Sequence, residues 1–199
     1  MLTLYDFPLS GNCYKIRLFL ALIEKDYQSI EIKLQEGETT QLSFLKLNPR
    51  GQVPVIDDEG EIIWDSMAIL VYLARGYADR TWFPDDALDQ ARVMQWLAVS
   101  ENEVLYGLAR ARGIRLFNRP FDPDECNAMG LAALKLLDDQ LSQHEWLATD
   151  QPTIADIACY PYVALAPEGG IELTPYPAVL AWIKRIRALP GYVTMPGLD

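Results

Sequence analysis

The chain has 199 residues, half of them hydrophobic and 23% charged, enough to bury a substantial core in one domain or two small ones. Its 28 acidic and 17 basic residues leave a net charge of −11, which argues against nucleic acid or an anionic membrane surface as the main partner. Three scattered cysteines and one histidine, His144, set aside disulfide frameworks, structural zinc sites and histidine triads, so no metal is expected.

No apolar run approaches the roughly 18–20 residues of a membrane span. The opening MLTLYDFP lacks a basic run followed by an apolar stretch, so a cytoplasmic location is the expectation. Leu2–Tyr5 reads as a strand. Residues 12–25, NCYKIRLFLALIEK, read as a helix apolar nearly all round and therefore well buried. Ile30–Leu34 alternates with period two, which predicts a half-buried strand. This β-α-β order predicts a parallel pair joined by a crossover helix.

A short helical piece at Thr39–Leu47 precedes Asn48-Pro49-Arg50-Gly51. Strands at Val53–Asp57 and Glu61–Trp64 flank Asp58-Glu59-Gly60, a hairpin signal. Asp65-Ser66 then caps the helix MAILVYLARGY. Beyond the linker-like GYADRTWFPDDA the strand patterns vanish. Helices are predicted at about 89–112, 123–143, 153–165 and 177–189. Thr153-Ile154-Ala155-Asp156 has the form of a capping box. The predicted class is α/β followed by all-α: residues 1–77 a β-α-β-α-β-β-α unit, 78–87 a linker, and 88–199 a helical unit.

Three places are candidates for chemistry. Ser10 precedes the first helix, where unpaired N–H groups and the positive dipole favour an anion or thiolate. A serine hydroxyl donating to a bound thiolate lowers its pKa and makes it nucleophilic. A plain N-cap also accounts for Ser10. Cys13, inside the apolar helix, reads as a buried small hydrophobe. The second place is Gln52-Val53-Pro54-Val55. A cis Val53–Pro54 bond would turn the Val53 main chain toward a strand-like ligand, and an ordinary trans proline is the alternative. The third is Asp65-Ser66, either a simple cap or a pair holding an ammonium and a carboxylate.

In this order, LYDFPLSGNCYKIRLFLAL, NPRGQVPVIDDEG, DSMAILVYLA and TIADIA resemble a cytosolic glutathione transferase over essentially the whole chain. The resemblance is to the bacterial, serine-type (theta-, zeta- or nu-like) members. It implies a thioredoxin-like glutathione-binding domain, a helical second domain, glutathione as co-substrate, and a homodimer active in detoxification.

Carried over, Ser10 stabilises the glutathione thiolate. Val53, before Pro54, pairs with the cysteinyl part and Gln52 lies by the peptide. Asp65 and Ser66 hold the γ-glutamyl ammonium and carboxylate. Asp65 stands where the family usually has glutamate. Lys33 and Arg50 are candidates for the glycyl carboxylate. Asn12 complicates the site, because related bacterial disulfide reductases carry threonine-proline-asparagine at this loop, close to Ser10-Gly11-Asn12. The resemblance places Phe7, Leu9, Tyr106 and Arg110 on the side of a small hydrophobic electrophile, with Arg112 and Arg115 nearby. A solvated helix face accounts for Arg110 and Arg112 equally well, and core or dimer packing for Tyr106. The readings left open are conjugation, glutathione-dependent disulfide or peroxide reduction, and a non-catalytic regulatory binding protein.

Overall fold

Alternating side chains of strand β1 (Leu2–Asp6) serve two cores at once in the computed structural model, which describes residues 1–198. Leu2 and Leu4 enter the main core, while Tyr5 packs with Ile32, Phe44 and Val55 on the opposite face. The sheet has the order β2-β1-β3-β4. Strand β2 (Gln28–Glu31) runs parallel to β1, joined through helix α1 (Gly11–Leu22), while β3 (Val55–Asp58) and β4 (Glu61–Trp64) form the antiparallel hairpin.

The second strand begins two residues earlier than the alternation suggested, and its four side chains are exposed rather than half-buried. It lies at the sheet edge. The apolar residue that does reach the core, Ile32, follows the strand and donates its N–H to the Asp6 carbonyl at 2.7 Å.

Two 3₁₀ turns and helix α2 (Leu42–Leu45) lead to β3, and helix α3 (Ser66–Gly76) follows the hairpin. Helix α4 (Ala87–Val99) continues through a segment wound with the wider π spacing, Ser100–Ala109, into α5 (Arg110–Phe117). The helix thus runs five residues past its predicted end and stops at Asn118, whose φ of 50° is left-handed. Helix α6 (Pro123–Leu141) crosses it closely. A Cβ on Gly107 would lie 2.3 Å from the Gly130 nitrogen, so glycine is required at that contact.

Helix α7 (Ile154–Ala164) is buried along its whole length at the centre of the molecule. Its capping box is complete. Asp156 accepts from the N–H groups of Thr153, Leu147 and the Trp182 indole at 3.0, 3.1 and 2.9 Å. Helix α8 (Pro177–Arg187) supplies Trp182 and buries Val179, Ile183 and Ile186 along one face. His144 is exposed beyond the end of α6. No helix among the described residues is long and apolar enough to cross a membrane.

Candidate functional site

Helix α1 begins on Ser10, whose Oγ accepts from the Cys13 N–H at 3.2 Å. The residue is partly exposed, and accepting that bond leaves its O–H free to donate outward. The first turn carries no acidic side chain, so nothing on the helix neutralises the positive end of its dipole. Cys13 is fully buried, and burial pushes its thiol up to about 12, so it remains an inert thiol at neutral pH.

Asn12 is partly buried, and its Oδ1 is enclosed without a hydrogen-bond partner. Tyr162 of α7 presses its ring against Gly11. A Cβ there would lie 2.6 Å from a ring carbon, so only glycine admits this approach. The helical part of the molecule therefore touches the start of α1 directly.

At the second helix start, Asp65 and Ser66 are brought together with Arg50. Asp65 caps α3 by accepting from the Met67 N–H, and its other oxygen accepts from Arg50 Nη1, each at 3.0 Å. Its backbone sits at φ 80°, ψ 126°, an unfavourable conformation for a residue with a Cβ, of the kind that concentrates at functional sites. Ser66 is buried. The Val53–Pro54 peptide is cis, with Pro54 buried and Val53 partly exposed. Gln52 is exposed, and its carbonyl accepts from the Asn48 side chain at 2.7 Å. Lys33 is exposed and pairs with Glu36.

The sequence reading missed a buried charge beneath these sites. Lys15 of α1 is completely buried. Its Nζ lies 3.4 Å from Ser100 Oγ, 4.0 Å from Glu101 Oε1 and 5.5 Å from the Tyr162 ring centre. Ser100 donates its own O–H to the Ala158 carbonyl at 2.8 Å. Burial pulls the Lys15 ammonium down to about 8, with Glu101 opposing. Burial likewise raises the Glu101 carboxyl. The available signal was a lysine on a helix with no exposed face.

On the far side of Ser10, the helical part of the molecule reaches the Phe7–Leu9 loop through Arg112 and Phe117. Arg112 Nη1 donates to the Leu9 carbonyl at 2.8 Å, and the rings of Phe7 and Phe117 lie 6.4 Å apart. Arg110 instead stacks on Tyr106 at 3.8 Å and on Phe121 at 4.7 Å, with Tyr106 exposed. The solvated-face alternative fails for Arg112, which is only 3% exposed and pairs with Glu168. Its partners lie 56 and 103 residues away, beyond any local pattern.

Family models match both halves of the chain. Residues 1–75 match the glutathione S-transferase N-terminal domain and residues 115–190 the glutathione S-transferase C-terminal domain. Glutathione S-transferase D7 of Anopheles gambiae is 31% identical, the alignment covering 92% of this chain and 85% of that one. The disulfide-bond oxidoreductase YfcG of Escherichia coli is 30% identical over 96% of this chain and 92% of its own. The crystal structure of glutathione S-transferase from Pseudomonas fluorescens superposes with a TM-score of 0.92 at 34% identity, covering 100% of this chain and 99% of that one. With both halves of the chain matched and these relatives spanning nearly all of it, the chain belongs to the glutathione S-transferase family.

Proposed function

We propose that this transferase holds the glutathione sulfur at the start of α1, beside the Ser10 hydroxyl, and directs the thiolate at a small hydrophobic electrophile. The observation that carries the reading is the state of that helix end: a neutral cap, a free O–H and no acid in the first turn. The helix N–H groups and the serine hydrogen bond favour the thiolate, the nucleophilic form, over the thiol. Sulfur then bonds to the electrophilic carbon as the leaving group departs. Beyond ionising the thiol, the protein contributes proximity.

In this reading the Val53 main chain pairs with the cysteinyl unit of glutathione, beside Pro54 and Gln52. Ser66 and the start of α3 receive the γ-glutamyl carboxylate, and Asp65 its ammonium. Because Arg50 occupies one Asp65 oxygen, an arriving ammonium shares or displaces that guanidinium. Lys33 is the candidate for the glycyl carboxylate. Phe7 and Leu9 face the electrophile together with Tyr106 and Arg110, and Phe117 joins them through its contact with Phe7. We assign residues 1–77 to glutathione binding, 78–87 to the linker and 88–199 to the helical domain. A cytoplasmic homodimer serving detoxification is the proposed working form. Exposed Met94, Leu131 and Leu136 on α4 and α6 support a second copy, which light scattering tests.

Losing a hydrogen bond to a charged sulfur costs about 1.5–3 kcal/mol, so Ser10→Ala is expected to lower turnover with an activated aryl halide roughly 10–100-fold. Unchanged turnover would remove Ser10 from the site. Asn12 supports a second reading, glutathione-dependent disulfide or peroxide reduction, because its enclosed Oδ1 lacks a partner. That reading predicts turnover of a mixed disulfide that collapses in Asn12→Ala, and an indifferent variant would end it.

A further inference from the structure

The loop entering Ser10 is clamped by arginines from opposite halves of the molecule. Arg17 of α1 pairs with Asp6 and donates to the carbonyls of Phe7 at 3.4 Å and Pro8 at 2.9 Å. The next carbonyl, that of Leu9, accepts from Arg112 of α5 at 2.8 Å. We infer that Arg112, braced by Glu168, is a positioning residue for Ser10, through which the helical domain sets the direction of the sulfur-binding hydroxyl. The inference rests on Ser10 being the residue at the glutathione sulfur.

The peptide plane supplies the mechanism. The Leu9 carbonyl and the Ser10 N–H belong to one rigid unit. Arg112 pins its oxygen, and the Phe7 carbonyl, accepting from the Ser10 N–H at 2.9 Å, pins its nitrogen. That plane carries the Ser10 Cα, and the Ser10 carbonyl on its other side accepts from the Tyr14 N–H at 2.9 Å, so the Cα–Cβ direction is set and the Cys13 N–H then orients Oγ. The guanidinium also brings positive charge to the loop, which favours an anion there.

The surroundings of Arg112 are shaped to hold it in place. Its Nε pairs with Glu168, which is carried on the 3₁₀ turn Ala166–Gly169. Gly169 lets that turn close on α5, since a Cβ there would lie 2.9 Å from the Arg112 nitrogen. A Cβ on Gly197 would lie 2.4 Å from Glu168 Oε1, so a side chain there would push the carboxylate from its place. Burying a guanidinium is costly unless it is paired, and Arg112 Nη2 remains enclosed without a partner. An arginine retained with one donor unsatisfied fits a role in placing the loop better than a role in stability alone.

The test combines two measurements on the full chain: thiolate absorbance of bound glutathione against pH, and kcat and KM with an activated aryl halide. Arg112→Met is expected to raise the bound thiol's titration midpoint by about one pH unit. It should also lower kcat at slightly acid pH about tenfold. The glutathione KM should stay within about threefold, because the γ-glutamyl end at α3 is untouched. Arg112→Lys keeps the charge and one donor, so it should recover part of both effects. Glu168→Gln should move both quantities in the same direction by less, and it serves as the decisive variant if Arg112→Met does not fold. Variants that titrate and turn over like the native protein would overturn the role of Arg112. So would equal losses in kcat and glutathione affinity, the mark of general loosening. A native protein that binds glutathione without ionising it would instead overturn the Ser10 reading, and the inference with it.

Discussion

Helices α1 and α7 both begin on a hydroxyl cap, yet they end up in opposite states. At α7 the cap is closed. Thr153 and Asp156 are fully buried, and one Asp156 carboxylate gathers the N–H groups of Thr153, Leu147 and Trp182. At α1 the cap is open. Ser10 accepts one bond and is partly exposed, while Asn12 beside it keeps an enclosed oxygen with no partner. The same local chemistry is therefore satisfied within the fold at one end and left open at the other. What separates them is the number of polar groups left unsatisfied.

The largest effect expected from this contrast is on stability at the closed cap. Asp156→Ala strands three buried N–H donors and the Thr153 hydroxyl, and should cost about 3–5 kcal/mol in urea unfolding. Any folded fraction should still ionise bound glutathione normally. A loss under 1 kcal/mol would show that the α7 cap is not the structural one. At the open cap the pattern reverses: Ser10→Ala should cost only about 1 kcal/mol of stability while removing most of the turnover. A stability loss there as large as at Asp156 would erase the distinction.

The buried lysine beneath the site gives a pH-dependent effect. Folded Lys15 titrates near 8, against its ordinary 10.5. Between those values the unfolded chain holds a proton that the folded chain has released. The contribution of Lys15 to stability therefore rises as pH climbs from about 8 toward 10.5. Lys15→Met should remove that rise, and parallel native and variant profiles across this window would contradict it. The smallest effect is expected at Cys13. With its thiol pushed up to about 12 and fully buried, the native protein should resist alkylation at neutral pH. Cys13→Ala should retain turnover within about twofold. Rapid labelling accompanied by loss of activity would place a reactive thiol at the site after all.

Much of the fold was legible because its signals are local. The alternation in β1, the hairpin around Asp58-Glu59-Gly60, the caps of α1, α3 and α7 and the apolar face of α8 all depend on neighbours a few residues apart. Ser10, the Val53–Pro54 pair and Asp65-Ser66 were visible for the same reason. Edge position is not local, so β2 was placed two residues late and read as half-buried. The second layer of the site was hidden because its partners are remote in sequence. Lys15 meets Ser100 and Glu101, and Arg112 meets Leu9 and Glu168, only after the helical domain has docked. A residue count along one helix cannot distinguish a solvated arginine such as Arg115 from the buried Arg112 three positions before it.

The central claim is that the open start of α1 ionises a thiol the ligand brings. Titrating the thiolate absorbance of glutathione bound to the native protein and to Ser10→Ala tests it most directly. Ionisation is expected near neutral pH on the native protein, with a midpoint roughly one to two pH units higher in the variant. Coincident curves would contradict it.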